Sequence, residues 1–246
     1  MAKSRKPKAK QAGAQLPRAV LSDLAAASRI LVDQGVFDAA GHVSMRHPGN
    51  PEQFLMSRSL APQLVTAADI MEFNLDCQAI DARGRNGFIE RYLHGEIYKK
   101  RRDVTAIAHS HSASVIPFGL TNAPMRATYH NAAFLAAGVP VFDIREKFGI
   151  SDIVISSAAK GAALAEALGD KSVALLRAHG MVVVAESLPV AVFRAIFTEV
   201  SARVQLQATA LGGPVAALDP EEGRLADLVN VATVGRSWDL WKRRVT

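Results

Sequence analysis

Apolar residues in the first half of the chain follow two different periods. From Val20 to Leu31 they recur every three to four positions, which predicts an amphipathic helix with Pro17 in its first turn and Gly35 at its end. Residues 41–46 and 53–57 are short apolar runs on either side of a segment rich in proline and glycine, which predicts two strands joined by a turn. The pattern also predicts a capped helical turn at 66–69, strands at 70–75 and 104–108, and a helix at 90–101.

The second half of the chain carries mostly helical patterns. A short helix is expected after His111, and it should stop near Pro117. Longer helices are predicted at 129–137, 157–168 and 187–211, with strands at 139–142, 173–176 and 181–184. Trp238 lies in a final segment that forms either a helical tail packed on a neighbour or a frayed terminus.

This order of elements predicts one α/β domain in three layers, a mixed sheet covered by helices on both faces, over residues 17–213. Residues 1–16 show no periodicity and are expected to form a disordered basic tail. Residues 214–246 are expected to be an extension that packs on the domain or on a neighbouring subunit. The glycines form neither a dinucleotide fingerprint nor a phosphate-binding loop, which argues against nucleotide chemistry.

Composition narrows the class of protein. The 246 residues carry a net charge of +6, but most of this excess lies in the first ten residues, so the rest of the chain is nearly neutral. Basic and aromatic residues are not interleaved, so no nucleic-acid partner is expected. No apolar run is long enough to cross a bilayer, and the basic start lacks the apolar segment of a signal peptide, so no membrane association is expected. The single cysteine, Cys77, excludes an intramolecular disulfide and suits a reducing compartment, so a cytoplasmic enzyme is expected.

Several histidines and one glutamate lie at the ends of these apolar elements. Glu90 and His94 are four residues apart on a predicted helix and therefore share a face. His109 and His111 are two residues apart at the end of a predicted strand, so both imidazoles project to the same side. His179 lies where two further apolar runs meet. A lone histidine is more often a core or surface residue than a ligand, but several imidazoles with a carboxylate suit a divalent ion such as zinc or manganese.

Taken in order, these motifs resemble those of the class II aldolase/adducin family. The motifs are Gly41-His-Val-Ser44, Glu90-Arg-Tyr-Leu-His94, His109-Ser-His111 and Leu175-Leu-Arg-Ala-His-Gly180. The resemblance covers residues 20–211 and implies the three-layer fold of the class II aldolases.

The resemblance also implies a site and an assembly. The family's three metal-binding histidines match His109, His111 and His179, and its glutamate, a ligand or a nearby base, matches Glu90. The implied cofactor is a divalent ion, Mn²⁺ or Zn²⁺, with Fe²⁺ as a further candidate. Family members are typically tetramers with active sites between subunits, so a homotetramer is expected.

Departures from the aldolase pattern bear on the substrate. In the family's sugar-phosphate aldolases an asparagine, a small Ser/Thr-Gly loop and two serines hold the phosphate. This chain has His42 in place of the asparagine, Ser57-Arg-Ser59 in place of the loop, and Phe88 and Ile89 in place of the serines. Apolar side chains leave a phosphate poorly solvated, whereas an arginine can hold a carboxylate through paired hydrogen bonds. The pattern is similar to the family's decarboxylase branch, which acts on hydroxylated aromatic or hydroxypyridine carboxylates and related ring-cleavage semialdehydes.

The function implied by this resemblance is metal-dependent decarboxylation of a small-molecule carboxylate. His130 aligns with a proton-donating tyrosine of the aldolases and is the candidate acid, while Glu90 completes the metal shell or moves protons. The candidate substrate-binding residues are Arg58, Ser59, His42, Ser44 and Arg145. One alternative is an aldolase or epimerase for an unphosphorylated sugar acid or aldehyde. The other is a non-catalytic, adducin-type assembly module, against which the complete set of metal residues argues.

Overall fold

The computed structural model of the protein describes residues 16–212 and 215–246. The predicted basic tail lies outside these residues, apart from Leu16. The helices are α1 (Arg18–Asp33), α2 (Arg91–Lys100), α3 (Ile116–Leu120), α4 (Arg145–Phe148), α5 (Ala158–Leu168), α6 (Leu188–Ala210) and α7 (Pro220–Val245). The strands are β1 (His42–Arg46), β2 (Gln53–Ser57), β3 (Ile70–Asn74), β4 (Ala106–Ser110), β5 (Val141–Phe142), β6 (Val173–Leu176) and β7 (Gly180–Ala185). A 3₁₀ segment, His130–Ala137, lies between α3 and β5.

The strands form one sheet in the order β3-β2-β1-β4-β7-β6-β5. Neighbouring strands are antiparallel except for β5 and β6, which are parallel, so the sheet is mixed as predicted. In the central pair, His42 of β1 lies directly opposite His109 of β4. The pairing therefore places the first motif of the sequence beside the His-Ser-His motif.

Helices cover both faces of this sheet. Alternate residues of β4 belong to separate cores: Ala106 and Ala108 to the core with α1, α6 and α7, and Ile107 to the core with α2 and α5. This arrangement confirms the predicted three-layer α/β fold. None of the described helices is both long enough and apolar enough to span a membrane.

Capping residues explain several helix boundaries. Ser157 Oγ accepts a hydrogen bond from Lys160 N–H at the start of α5, and Ser187 caps α6 in the same way. Asp219 and Glu222 form a reciprocal capping box at the start of α7. Polar residues that precede each helix thus satisfy N–H groups that have no partner inside it.

Several elements differ from the sequence prediction. The helix predicted at 129–137 is the 3₁₀ segment His130–Ala137, and α4 was not predicted. The pattern places Pro117 near the end of a short helix, but in the structure it lies in the first turn of α3, where its missing N–H costs no hydrogen bond. At the carboxyl end, α7 begins at Pro220, well before the segment in which a helical tail is predicted. Its indoles, Trp238 and Trp241, are buried, and Trp241 lies near Phe193 of α6. The apolar face of α7 therefore packs on helices of the same chain.

Candidate metal centre

Glu90 lies at the start of α2 with its side chain buried. It is the residue immediately before the helix and is 7 % exposed. Its Oε1 accepts a hydrogen bond of 2.9 Å from Ile155 N–H, and its Oε2 approaches two histidines. A backbone donor therefore fixes one carboxylate oxygen and leaves the other to face a shared centre.

β4 and β7 position the histidines. His109 is the penultimate residue of β4 and His111 follows the end of the strand, while His179 immediately precedes β7. The next residue, Gly180, approaches β4 so closely that a Cβ atom there would lie 1.9 Å from Ser110 O. Only glycine permits this approach, which brings His179 to the end of β4.

The four side chains converge on one point. Ligand atoms of Glu90, His109, His111 and His179 all lie within 4.8 Å of one another. Glu90 Oε2 is 3.3 Å from His109 Nε2 and 3.5 Å from His179 Nε2. His179 Nε2 is in turn 3.2 Å from His111 Nε2. We call these four residues the metal cluster.

The outward nitrogens of two of these rings donate to backbone carbonyls. His109 Nδ1 lies 3.0 Å from Met181 O, and His179 Nδ1 lies 3.0 Å from Ile153 O. A carbonyl oxygen only accepts, so both rings carry a hydrogen on Nδ1 and present a lone pair at Nε2. Partners of this kind orient histidines that ligate metals.

The metal cluster fits a divalent cation. His109 Nε2 is buried and has no hydrogen-bond partner within residues 16–212 and 215–246. Burial by itself would raise the pKa of Glu90, but the neighbouring His109 and His179 hold that pKa well below its usual range. Three imidazole nitrogens and an ionised carboxylate are a donor set that suits Zn²⁺ or Mn²⁺.

A cavity of 350 Å³ opens beside Glu90. Phe88 and Ile89 both line it. Its polar lining includes His42 and the hydroxyl-bearing Ser59. Apolar walls with a few polar groups suit a mainly apolar ligand that carries oxygen atoms.

Ser44, a candidate substrate residue, does not line this cavity. It is 0 % exposed, and its hydroxyl lies 2.7 Å from His94 Nδ1 and 2.9 Å from Tyr98 Oη. Because those contacts lie inside the core, Ser44 supports the interior of the site rather than touching a ligand in the cavity.

The two candidate arginines form ion pairs. Arg58 Nε is 2.7 Å from Asp69 Oδ1, and Arg145 Nη2 is 2.6 Å from Asp143 Oδ2. Neither residue lines the cavity beside Glu90. A single chain therefore does not bring either guanidinium to the metal cluster.

His130, the candidate acid, lies at the exposed start of the 3₁₀ segment. Its Nδ1 is 3.3 Å from Asn131 Oδ1, and its carbonyl oxygen accepts a hydrogen bond from Asn230. It neither belongs to the metal cluster nor lines the cavity beside Glu90. Within one chain, the candidate acid is separate from the site.

Sequence reasoning missed Asp38, which follows α1. Its Oδ2 lies 3.0 Å from His111 Nδ1, and its Oδ1 accepts the backbone N–H groups of Ala40 and Gly41. Burial opposes ionisation of Asp38, but these hydrogen bonds and His111 lower its pKa overall. The only sequence signal for this role is an acidic residue in the turn before the first motif.

Sequence reasoning also missed the segment that fixes two members of the metal cluster. We call residues 152–156 the strap, because Ile153 O and Ile155 N bond His179 and Glu90. Ile153 has a φ of +55°, which is rare for a β-branched residue. Lys160 Nζ secures the strap through Asp152 Oδ1 at 2.8 Å, Val154 O at 2.9 Å and Ser156 Oγ at 3.3 Å. Most of these contacts use backbone atoms, which leave no side-chain signature in the sequence.

Comparison with known protein families agrees with this geometry. Residues 22–206 match the family described as Class II Aldolase and Adducin N-terminal domain. The chain belongs to this family. Members of the class II aldolase family depend on divalent metal ions, and the metal cluster provides a site that could hold one.

Relatives within the class II aldolase/adducin family include decarboxylases and aldolases. Decarboxylase tropJ of Talaromyces stipitatus is 35 % identical over 239 residues, which cover 88 % of this chain and 90 % of that protein. The 3,4-dihydroxyphthalate decarboxylase of Arthrobacter keyseri is 29 % identical over 231 residues, which cover 87 % of this chain and 89 % of that protein. The structure of an L-fuculose 1-phosphate aldolase from Glaciozyma antarctica PI12 superimposes with a TM-score of 0.75 at 25 % identity, covering 93 % of this chain and 89 % of that one. The family and these relatives together indicate a lyase.

Proposed function

We propose that this protein is a metal-dependent decarboxylase of a hydroxylated aromatic or heteroaromatic carboxylate, or of a related ring-cleavage product. The observation that carries the proposal is the metal cluster beside a cavity with apolar walls. A sugar phosphate would need polar donors that Phe88 and Ile89 cannot supply, whereas a flat aromatic acid packs well against them. The decarboxylases among the relatives support the same reaction.

In this proposal His109, His111 and His179 hold the ion and Glu90 completes the donor set. When bound, a divalent ion supplies Lewis acidity that stabilises the negative charge developing beside the broken carbon–carbon bond. The donor set suits Zn²⁺ or Mn²⁺, with Fe²⁺ as a third candidate. The lowered pKa of Glu90 keeps its carboxylate ionised at neutral pH, as a metal ligand must be.

The lining of the cavity binds and orients the substrate. Phe88, Ile89 and Leu60 pack against the ring and exclude water, which favours conversion of a charged carboxylate into neutral carbon dioxide. Ser59 and His42 provide polar contacts for substrate oxygen atoms. The substrate is therefore held with its ring in apolar surroundings and its oxygen atoms near Glu90.

Loss of carbon dioxide leaves a carbanion that must gain a proton. We propose His130 as the acid, because it aligns with a proton-donating tyrosine of the aldolases. His130 is exposed and lies apart from the cavity of its own chain, so we propose that it serves a neighbouring subunit's site in a homotetramer. Arg58 and Arg145, which are paired with carboxylates in the single chain, remain candidates for a second substrate carboxylate.

Carbon dioxide release tests the proposed reaction. The protein is loaded separately with Mn²⁺, Zn²⁺ or Fe²⁺ and incubated with dihydroxyphthalates, hydroxybenzoates and hydroxypyridine dicarboxylates, with L-fuculose 1-phosphate for comparison. We expect metal-dependent release from at least one acid and none from a His109→Ala variant. Efficient cleavage of the sugar phosphate without decarboxylation of any acid would identify an aldolase. A purified protein that takes up no stoichiometric metal would instead favour an assembly module.

A further inference from the structure

Four buried side chains form a hydrogen-bonded row that ends at the cavity. Tyr98 Oη lies 2.9 Å from Ser44 Oγ, which lies 2.7 Å from His94 Nδ1. His94 Nε2 lies 2.8 Å from His42 Nδ1. His42 lines the cavity beside Glu90, and its Nε2 is buried without a hydrogen-bond partner in the described parts of the chain. We call these residues the relay row.

Both imidazoles of the relay row are neutral. His42 is 2 % exposed and His94 is 0 % exposed. No carboxylate hydrogen-bonds either ring within residues 16–212 and 215–246. An unpaired imidazolium would lose its hydration there, so each ring carries a single hydrogen.

Each hydrogen bond has one donor and one acceptor, so three orders form all the bonds of the row. In one of them Ser44 Oγ accepts from both Tyr98 and His94, which leaves the buried hydroxyl hydrogen of Ser44 without an acceptor among these contacts and disfavours that order. The other two orders run the length of the row in opposite directions.

In the first order every hydrogen bond inside the row has a well-placed donor and acceptor. Tyr98 donates to Ser44, Ser44 donates to His94 Nδ1, and His94 Nε2–H donates to His42 Nδ1 at the distances given above. His42 then carries its hydrogen on Nε2, which has no acceptor in the described parts of the chain. His42 lines the cavity, so a ligand bound there is the acceptor that this order calls for.

In the second order every bond is reversed and Tyr98 must donate elsewhere. The remaining acceptor in reach of its hydroxyl is Thr105 O at 3.5 Å, beyond the usual range for an O–H donor. Tyr98 is 0 % exposed, so neither water nor a ligand can compensate for that weak bond. The first order is therefore favoured.

We propose that the relay row fixes His42 as a neutral N–H donor that binds an oxygen atom of the ligand beside the metal cluster. The identity of that oxygen rests on the proposed function, in which it belongs to a carboxylate or hydroxyl group of the aromatic acid. His42 is then a specificity-determining residue, neither a base nor an additional metal ligand. Ser44, His94 and Tyr98 act through it as positioning residues.

Nitrogen NMR of the histidine rings tests the order directly. The zinc-loaded protein, labelled with ¹⁵N-histidine, is compared with its His42→Asn variant to assign the His42 signals. We expect a protonated, pyrrole-type Nε2 and an unprotonated, pyridine-type Nδ1 in both His42 and His94. Hydrogen on Nδ1 of His42 would overturn the proposal, whichever substrate the protein uses.

Substitutions at position 42 test the donor. For an acid that the wild type decarboxylates, His42→Phe should lower kcat/KM by about 10-fold or more, mainly through KM, with metal content unchanged. His42→Asn, which keeps an N–H donor, should retain more of kcat/KM than His42→Phe, and His47→Gln in the turn after β1 serves as the control. Native kcat/KM in His42→Phe would overturn the role of His42. If the wild type decarboxylates no acid, the proposed function fails, while the NMR result still decides the order of the row.

Discussion

The strap gives the sharpest test of how the metal cluster is held. Lys160 is four residues beyond the strap's last residue and bonds three groups of the strap, yet it touches no member of the metal cluster directly. We therefore expect Lys160→Met, which keeps the length of the side chain but removes its donors, to loosen the strap. The bonds from Ile153 O to His179 and from Ile155 N to Glu90 would then be held less firmly.

The expected loss of zinc affinity in Lys160→Met follows from how exposed Lys160 and its hydrogen-bond partners are. The Lys160 side chain is 15 % exposed, and its partner Asp152 is 61 % exposed, so that ion pair contributes little. The bonds to Val154 O and Ser156 Oγ are better shielded, and together the three contacts are worth about 1.5–3 kcal/mol. If this stabilisation is passed to the metal cluster, zinc affinity should fall by roughly 10–100-fold, the usual cost of losing a partner of a metal ligand.

Competition of the protein with a chelator for Zn²⁺ measures this affinity, and thermal melts by circular dichroism check the fold. Lys147→Met is the matched control, because Lys147 pairs with Glu166 of α5 but does not contact the strap. The control should bind zinc as the wild type does. Equal zinc affinity in Lys160→Met and wild type would refute the idea that the strap positions the metal cluster.

Alanine in place of any one histidine of the metal cluster should remove stoichiometric metal, measured by atomic emission, while the protein stays folded; full metal in all three variants would contradict the assignment. His130→Ala should keep metal content but lower kcat by roughly 10²–10⁴-fold, the usual worth of a positioned acid, and a native rate would assign the proton to another group. In metal-free protein, acid should reduce stability, because burial lowers the pKa of His94 from 6.5 to about 3. Neutral His94 stabilises the fold above about pH 6.5, and a few kcal/mol are lost as the pH falls toward 3, since the unfolded chain takes up the proton first. Urea midpoints should therefore fall with pH, and less steeply in His94→Phe; equal slopes would remove His94 as the cause.

The sequence predicts well those parts of the fold in which apolar and polar side chains follow a regular period. Alternation along β4 and the spacing of His109 and His111 follow from the pleat of a strand, and the sheet indeed brings both rings to one point with Glu90 and His179. The three-layer fold follows in the same way from the order of apolar elements. Those features depend on which side chains are apolar, and the sequence states that directly.

The parts that sequence reasoning missed depend on backbone atoms or on distant packing. Ile153 and Ile155 act through a carbonyl and an N–H, so their side chains give no sign of the role. Pro117 can end a helix or begin one, and the neighbouring residues did not decide between them. Ser44 carries a motif hydroxyl that could face either a ligand or the core, and the contacts with His94 and Tyr98 place it in the core.

The direct pairing of His42 with His109 across β1 and β4 separates two kinds of evolutionary change. The backbone hydrogen bonds between β1 and β4 set the distance between positions 42 and 109. A new side chain at position 42 therefore alters what the cavity recognises, while the metal cluster stays in place. A slip of one residue between the strands would turn His42 to the opposite face of the sheet and dismantle recognition. The pairing of the two strands can thus stay constant while the side chain at position 42 changes. Substrate preference can therefore evolve through point substitutions that leave the metal cluster intact.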